Sequence, residues 1–471
     1  MSEQEISASG QSLESVSKKG VWGWMLFDWA AQPFHTLLVT FIFAGYFAAQ
    51  VAPDAATGQI WWGYMAAISG IFIAVLSPIL GSIADATGPR KPWIAFFTLL
   101  TAVGAAFLWY AVPGGGGIAF WILIAFGAGL IGIEFAAVFN NAIMPDLVTR
   151  EKLGRLSGSA WALGYIGGLV TLFLVLLAMV ETPAGSGQTL IGMTPILGLD
   201  EVNRGGERAV GPLAAVWLLV FIIPFFLFTP DTAKPKNVQG AVKNGLKELI
   251  ATLRNLPKTP SLFAYLGSSM FYRDALNGLF IFGGVYATGV LEWETTQLGL
   301  FGILAGFTGA IGAWFGGRLD DKFGPKRVIT VSVIVLVIVC LMIVTTDRTT
   351  LLTMPIVDTG GPFAGPDILF YICGALIGAA GGSLQAASRT LMVDQAVGGD
   401  MTQAFGLYAL SGKATAFMAP ALVAFFTGVV GKTMMGLSDS AAQRLGISTL
   451  IGLFVIGLVL LNWVKEHEKQ A

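Results

Sequence analysis

The sequence predicts an all-α polytopic membrane protein, with twelve transmembrane helices in two pseudo-symmetric six-helix bundles. Three observations support this prediction. Of the 471 residues, 55% are apolar and only 12% are charged, and the mean hydropathy is +0.74. Apolar runs of about 20 residues, the length that crosses a bilayer, recur along the chain. One loop motif occurs twice, once in each half of the sequence.

The repeated motif reads GSIADATGPRK at residues 81–91 and GRLDDKFGPKR at residues 317–327. In both copies an apolar segment ends, Asp and Gly follow at the same spacing, and a Pro with two basic residues precedes the next apolar segment. This pattern predicts a tight turn between two buried helices. Two copies 236 residues apart in a chain of this length indicate duplicated halves.

The predicted spans divide the chain into two halves. Hydropathy predicts them at residues 21–50, 60–84, 91–112, 117–143, 155–180, 211–229, 261–290, 295–318, 326–346, 367–391, 401–430 and 443–464. The predicted domains are a disordered tail (1–20), an N-terminal bundle (21–229), a linker (230–260), a C-terminal bundle (261–464) and a second tail (465–471). The first 17 residues are polar and lack the apolar core of a signal peptide.

Basic residues set the predicted orientation. Most Lys and Arg side chains fall in loops on one face, and the opposite loops hold only Arg204, Arg208, Arg348, Lys432 and Arg444. Basic loops stay in the cytoplasm, so both termini are expected there, with the protein in the cell inner (plasma) membrane. The net charge of −1 favours no nucleic-acid partner.

Catalysis and bound cofactors are not predicted. Cys340 and Cys373 both lie in predicted spans, which indicates neither a disulfide framework nor a metal site. No catalytic motif and no soluble domain appear, so we expect a protein that is not an enzyme and has no cofactor. Small residues four apart, Gly312 with Gly316 and Gly374 with Gly378 and Gly382, predict close helix contacts in the second half.

The motifs resemble those of a known transporter family. The repeated loop resembles the signature loop of the major facilitator superfamily, between helices 2 and 3 and between helices 8 and 9. Three shorter stretches resemble the branch typified by the yeast vacuolar amino-acid effluxer and its bacterial relatives: FDWA at 27–30, NAIMPD at 141–146 and FGLYALSGK at 405–413. The resemblance implies a transporter. We expect a monomer that interacts with a small-molecule solute, protons and membrane lipids.

Ionisable residues inside the spans are the candidate functional residues of the first half. Each costs about 2.5–3.5 kcal/mol at the centre of a span, so a charge kept there is a functional candidate. Asp28, Gln32 and His35 lie at i, i+4 and i+7, which predicts one polar stripe on helix 1. Glu134 is a second acidic candidate, on helix 4. Gln32 and His35 are predicted to bind substrate, and Asp28 and Glu134 to carry protons.

The second half contributes cations. Helix 7 carries Tyr272, Arg273, Asp274 and Asn277, and helix 11 carries Lys413. Arg273 and Lys413 are at similar predicted depth, which suits a carboxylate or phosphate held between the halves. Asp274 is a further proton-coupling candidate, and the other four are predicted to bind substrate. The alternative interpretation is that these residues form structural pairs, for example between Arg273 and Asp274.

The resemblance implies conformational latches at the cytoplasmic ends of the helices. In this superfamily the loop residues Asp85, Arg90, Asp321 and Arg327 have that role, although the basic residues could instead only fix topology. Three more residues are predicted as gating contacts at helix ends: Asp146, Arg389 and Asp394.

These residues favour a secondary active transporter that moves a small anionic or zwitterionic solute by alternating access, coupled to protons. Two alternatives remain. One is a non-transporting assembly factor of the same fold, which would have little reason to keep intramembrane charges. The other is a flippase for lipids or amphiphiles, which the sequence does not separate from a transporter.

Overall fold

The computed structural model describes residues 6–9, 16–53, 55–181, 186–199, 202–231, 241–293, 295–356, 365–396 and 401–466. These ranges are predominantly helical. The helices are α1 (Lys18–Pro33), α2 (Phe43–Tyr46), α3 (Ala55–Thr87), α4 (Lys91–Phe107), α5 (Ile118–Ile143), α6 (Leu153–Ala178), α7 (Gly205–Phe221), α8 (Ile223–Phe228), α9 (Ala241–Asn255), α10 (Pro260–Val290), α11 (Thr295–Phe323), α12 (Pro325–Val344), α13 (Gly365–Gln395), α14 (Met401–Ala414), α15 (Met418–Phe425) and α16 (Asp439–Leu461).

Shorter elements complete the described chain. Strands β1 (Thr350–Leu351) and β2 (Met354–Pro355) pair antiparallel. The π-helices are Phe34–Phe41, Phe47–Val51 and Phe426–Met434. The 3-10 helices are Leu108–Tyr110, Met144–Asp146, Arg150–Lys152, Ile196–Gly198 and Leu256–Lys258.

Eleven helical segments of the described chain are long and apolar enough to cross a bilayer. The remaining predicted span corresponds to α10, which has 31 residues and is therefore long enough to cross. Its middle is polar, with Ser268, Ser269, Arg273 and Asp274 within two turns. Together, α10 and the eleven segments give the twelve predicted spans, and α10 is the least apolar of them.

The chain divides into two compact units. Unit 1 contains Met1–Thr149 and Leu163–Lys247, and unit 2 contains Arg150–Ala162 and Glu248–Ala471. In unit 1, α4 packs against α5 and α7, and α1 packs against α7 and α8. In unit 2, α11 packs against α13, α10 against α16, and α12 against both α13 and α16. The bundle boundaries drawn from the sequence stay a prediction.

The repeated loop is a tight turn in both copies, as predicted. In the first copy α3 ends at Thr87 and α4 begins at Lys91, and in the second α11 ends at Phe323 and α12 begins at Pro325. Gly88 and Gly324 have φ of +91° and +87°. Side chains with a Cβ rarely adopt this left-handed region, so both turns require glycine immediately before proline.

Glycines allow α11 and α13 to approach backbone to backbone, which confirms the predicted close contacts. A Cβ added at Gly378 would collide with the carbonyl of Ala305, and one at Gly382 with the carbonyl of Gly309. On the opposite helix, a Cβ at Gly312 would collide with Ala379. In lipid no hydrophobic driving force holds helices together, so such close packing supplies much of their attraction.

Helix 1 changes its geometry after Pro33. Ser17 caps α1 by accepting a hydrogen bond from the Gly20 N–H (3.1 Å), and the α-helix ends at Pro33. Beyond it, the Ile42 N–H donates to the Leu37 carbonyl, five residues back, which is the hydrogen bond of a π-helix. The first predicted span therefore begins as an α-helix and continues as a π-helix from Phe34 to Phe41.

Part of the tail predicted to be disordered forms backbone hydrogen bonds. The Ala8 N–H donates to the Val148 carbonyl (3.0 Å), and the Ser9 N–H donates to the Pro145 carbonyl (3.2 Å). Ala8 and Ser9 therefore contact the segment after α5, and the disorder predicted for residues 1–20 stays a prediction. These bonds satisfy backbone groups that a polar composition alone does not reveal.

The loop after α12 is held by a carboxylate. The Thr349 N–H and hydroxyl donate to Asp347 Oδ1 at 2.8 and 2.9 Å, and the Arg444 guanidinium lies 2.9 Å from Oδ2. Burial would raise the pKa of Asp347, but these hydrogen bonds and the neighbouring cation outweigh burial and lower the pKa below its ordinary value.

We expect Gly382→Val to destabilise the protein by at least about 2 kcal/mol, because its methyl groups would overpack the contact between α11 and α13. Gly452→Val on α16 is the matched control, since no atom lies within 4 Å of a Cβ built there. Thermal unfolding in detergent, followed by tryptophan fluorescence, measures both. Equal melting temperatures for the two variants would contradict the proposed role of this contact.

Candidate functional site

Arg273 lies near the middle of α10 and is half-buried. Its Nη1 donates to the Tyr408 carbonyl (3.0 Å), and its guanidinium carbon lies 4.1 Å from the centre of the Tyr408 ring. A Cβ at Gly412 would lie 2.6 Å from the same guanidinium carbon, so glycine makes room for it. Within the described part of the chain, no carboxylate forms an ion pair with Arg273.

Asp274 faces a different neighbour. Its side chain is 1% exposed, and its Oδ2 accepts a hydrogen bond from the Ala419 N–H (2.7 Å) in the first turn of α15. Its Oδ1 is buried and has no hydrogen-bond partner in the described part of the chain. The alternative was a structural pair between Arg273 and Asp274. In the structure these adjacent side chains do not pair with each other, because Arg273 contacts α14 and Asp274 contacts α15, the two parts of the eleventh predicted span.

The other predicted ligands of the second half have different environments. Tyr272 is fully buried, with its hydroxyl 2.9 Å from Ser388 Oγ, and its role as a substrate ligand stays a prediction. Asn277 is exposed and Lys413 is half-buried. Their predicted role in substrate binding stays a prediction.

In unit 1, Asp28 and Gln32 face α6. A Cβ at Gly164 would lie 3.4 Å from the Asp28 Cβ, and one at Gly168 would lie 3.0 Å from the Gln32 Cγ. Both polar side chains are half-buried, although most of their neighbours on α1 are buried. These two members of the predicted polar stripe therefore share one face, next to two glycines that leave space for them.

His35 lies in the π-helix, beyond the end of α1. It is half-buried, and its ring meets Phe34 edge to face with centroids 6.0 Å apart. It therefore lies at the junction of the two helix types, and its place on the predicted polar stripe stays a prediction. Its proposed role in binding substrate stays a prediction.

Glu134 lies on α5 and is half-buried, as is Asn141 two turns further on. Between them, Asn140 is fully buried, and its carbonyl accepts a hydrogen bond from the Trp24 indole N–H (2.8 Å). Neither the nitrogen nor the oxygen of the Asn140 side-chain amide has a hydrogen-bond partner among the residues that the structure describes. Asn140 is not among the predicted site residues, although an amide inside an apolar helix is visible in the sequence.

The first loop copy forms a buried ion cluster. Arg90, 7% exposed, lies 3.2 Å from Asp85 and 3.1 Å from Asp146, and also donates to the Ala142 carbonyl (3.1 Å). The structure therefore brings together three residues predicted as gating contacts. Their ion pairs fasten the turn between α3 and α4 to the end of α5.

The second copy has another partner. Asp321 accepts hydrogen bonds from the Arg155 backbone N–H (3.1 Å) and Nε (2.7 Å), at the start of α6. Arg327, in the first turn of α12, is exposed and has no ion pair within the described ranges. Its role in the latch stays a prediction.

The residues predicted as gating contacts at the end of the tenth span, which is α13 in the structure, contact residues 150–162. Asp394 lies 2.6 Å from Arg150. Arg389 is 4% exposed, donates to the Ser157 hydroxyl (3.1 Å) and carbonyl (2.7 Å), and stacks over the Trp161 ring at 5.2 Å. Both side chains are therefore held by the beginning of α6. Whether they act as a gate stays a prediction.

Asp231 and Glu466 are two acidic residues that were not predicted from the sequence. Each of them caps the helix that follows one copy of the repeated loop. Asp231, after α8, accepts hydrogen bonds from the backbone N–H groups of Arg90 (2.8 Å) and Lys91 (3.2 Å). Glu466, after α16, accepts one from the Lys326 N–H (2.8 Å). In return, the ammonium groups of Lys91 and Lys326 donate to carbonyls at the ends of α8 and α16, respectively.

Comparison with known proteins identifies the family. A profile of the family described as vacuole effluxer Atg22 like matches residues 61–471. The chain belongs to this family. It is 26% identical to the uncharacterized MFS-type transporter YxiO of Bacillus subtilis over 456 residues, covering 94% of each protein. It is 25% identical to the multidrug resistance protein MdtG of Dickeya zeae over 340 residues, covering 71% of this chain and 70% of MdtG.

Solved structures confirm the predicted fold class of this Atg22-like protein. The crystal structure of the major facilitator transporter FucP in the outward conformation matches with a TM-score of 0.65 at 13% identity, covering 95% of this chain and 99% of FucP. The proton:xylose symporter XylE matches with a TM-score of 0.64 at 13% identity, covering 95% of each chain. The chain therefore has the fold of these transporters, with at least eleven described helical segments long and apolar enough to cross a membrane.

We expect Arg90→Gln to destabilise the protein by about 3–5 kcal/mol, because it leaves the Asp85 and Asp146 carboxylates at least partly buried without their cation. Arg327→Gln, in the other loop copy, should stay within about 0.5 kcal/mol of wild type because the side chain is exposed. Thermal unfolding in detergent distinguishes the two. If Arg327→Gln lowered the melting temperature more than Arg90→Gln, the stabilising role assigned to the Arg90 ion cluster would be wrong.

Proposed function

We propose that this protein is a secondary active transporter that moves a small anionic or zwitterionic solute across the inner membrane by alternating access, coupled to protons. The observation that supports it most is Arg273. A cation in the middle of a span costs several kcal/mol and normally pairs with an acidic side chain. Arg273 has an aromatic ring and a carbonyl instead, with no carboxylate partner in the described chain.

The geometry of Arg273 supports an anion as its ligand. The guanidinium has five N–H donors in a planar fork that matches a carboxylate or phosphate in two-point contact. One nitrogen is bonded to the Tyr408 carbonyl, and the Tyr408 ring covers one face of the group. The remaining donors are available for a bidentate ligand. Lys413, on the same helix as Tyr408, is a candidate second cation for a phosphate or dicarboxylate.

Proton coupling is proposed because intramembrane acids and an imidazole accompany the cation. Asp28 and Glu134 are half-buried carboxyls in unit 1, and Asp274 is a buried carboxyl next to Arg273. A carboxyl in such surroundings exchanges its proton at a free-energy cost that depends on the conformation, which is what coupling requires. XylE, which has the same fold, is described as a proton symporter, and this adds support.

The test is transport by purified protein in liposomes that contain a pH-sensitive dye. Amino acids, carboxylates and phosphorylated solutes are offered in turn, with and without a pH gradient. We expect one class of anionic or zwitterionic solute to move together with protons. Equal rates with the gradient collapsed would rule out coupling. Scrambling of labelled lipids without solute movement would favour a flippase, and a co-purifying protein without any transport would favour an assembly factor.

Arg273→Gln should reduce uptake of that solute at least about tenfold, because a charged hydrogen bond is worth about 1.5–3 kcal/mol. Arg273→Lys should recover part of the loss, since it restores the charge but not the planar fork. Arg254→Gln, which removes an exposed arginine of α9, is the control and should transport like wild type. Wild-type uptake by Arg273→Gln would exclude the anion site.

A further inference from the structure

Helix 11 is broken next to Arg273 and Asp274. Its first part, α14, ends at Ala414, and its second part, α15, begins at Met418 after a turn at 415–417. Pro420 explains the break, because proline has no N–H to donate and its ring crowds the carbonyl four residues back. Proline is tolerated in the first turn of α15, so a new helix starts there.

The two adjacent residues of α10 contact opposite sides of this break. Before it, Arg273 bonds to the Tyr408 carbonyl, covers the Tyr408 ring and lies against Gly412, all on α14. The Ser269 and Ser411 hydroxyls, 3.1 Å apart, add a second contact there. After the break, Asp274 Oδ2 binds the Ala419 N–H of α15.

The contact made by Asp274 depends on its charge. A carboxylate accepts a stronger hydrogen bond from the N-terminus of a helix than a neutral carboxyl does, because both the charge and the helix dipole favour it. Oδ1, however, is buried and has no hydrogen-bond partner among the described residues, which penalises the ionised form. These two effects oppose each other. When Asp274 binds a proton, its hydrogen bond to the Ala419 N–H becomes weaker, but the free-energy cost of burying its charge is removed.

We propose that Arg273 and Asp274 form a two-point clamp on helix 11, in which the transported anion releases the contact with α14 and a proton releases the contact with α15. This proposal rests on the function proposed above for Arg273. An anion that binds the guanidinium competes with the Tyr408 carbonyl for its donors. Protonation of Asp274 weakens its bond to Ala419. Either event frees one side of the break, which makes the turn at 415–417 the point where solute and proton are coupled.

Few ionisable side chains lie on the helices around Asp274 that could produce the same pH dependence. Neither α15 nor residues 445–461 of α16 carry an ionisable side chain. The other ionisable side chains of α10 are Tyr265, Tyr272, Arg273 and Tyr286. The elements that pack against α10 also carry ionisable side chains: Tyr408 and Lys413 on α14, Asp367, Tyr371, Cys373, Arg389 and Asp394 on α13, Asp439 and Arg444 on α16, and Lys258 in the 3-10 helix before α10. Within the described residues, none of these cations forms an ion pair with Asp274.

Hydrogen exchange of the peptide covering residues 415–425 tests the proton half without any solute. The protein is reconstituted in nanodiscs, and rates are corrected for the intrinsic pH dependence of exchange. In wild type we expect protection of the first turn of α15 to fall on the order of tenfold as the pH drops, because the cap is present only while Asp274 is ionised. In Asp274→Asn, which keeps a neutral acceptor, protection should be low and independent of pH.

Two further variants make the result decisive. Asp274→Ala removes the acceptor and should give low protection at every pH. Asp439→Asn makes the same carboxyl-to-amide change at an exposed position of unit 2 and should retain the wild-type profile. The same pH profile in wild type and Asp274→Asn, or a profile in Asp439→Asn as flat as that of Asp274→Asn, would overturn the clamp.

The anion half is read separately, by adding the transported solute at a pH where the cap is closed. We expect exchange of residues 401–414 to rise in wild type and to stay unchanged in Arg273→Gln. If Arg273→Gln abolishes transport but Asp274→Asn leaves the exchange profile as in wild type, the proposed function stands and the clamp fails. If the pH profile behaves as expected but Arg273→Gln transports normally, the anion site fails and the proton-dependent cap stands.

Discussion

The cost of keeping a charge away from water is the constraint on which this structure depends. A bilayer offers no solvent to an ionised side chain, so each one must be bound by the protein or by what the protein carries. The charged side chains discussed above fall into two groups, according to the kind of partner that each one has. Arg90, Asp321 and Asp394 have oppositely charged side chains at helix ends. Within the described residues, the partners of Arg273 and Asp274, in the middle of α10, are a ring, a carbonyl and a backbone N–H.

This difference in partners is the physical basis for assigning function to α10. A salt bridge between two protein side chains fixes a position, since breaking it leaves an uncompensated charge. A charge held by weaker neutral groups can exchange them for a ligand or a proton at smaller cost. The same helix has the lowest apolarity of the predicted spans, which indicates that its polar residues are kept at the expense of membrane insertion.

The duplicated halves keep the turn and the helix caps but differ in their ion pairs. Gly88 and Gly324 have the same left-handed conformation, and Asp231 and Glu466 cap the helix that follows each turn. Asp85 and Asp321 occupy the same place in the motif, yet one pairs with Arg90 and the other with Arg155. Backbone geometry is determined by a few local residues, whereas the partner of a side chain depends on which segments fold against it.

The same distinction explains what the sequence predicts and what it does not. Hydropathy and the repeated motif predict the spans, the turns and the family, because these depend on local composition and spacing. Glycine spacing predicts the contact between α11 and α13. Burial of Tyr272 against Ser388 and the exposure of Arg327 follow from distant packing, which no short pattern records. Proline inside a predicted span is a local signal of this kind, because Pro33 and Pro420 lie where the first and eleventh predicted spans change geometry.

The cap supplied by Glu466 has a practical consequence for handling the protein. The carboxylate that closes the N-terminus of α12 comes from the last described residue, just beyond the final helix. Truncating the chain at the end of α16, or fusing a rigid reporter directly to Leu461, would therefore loosen a helix about 140 positions upstream in sequence. Purification tags belong after Glu466, where they leave this bond intact.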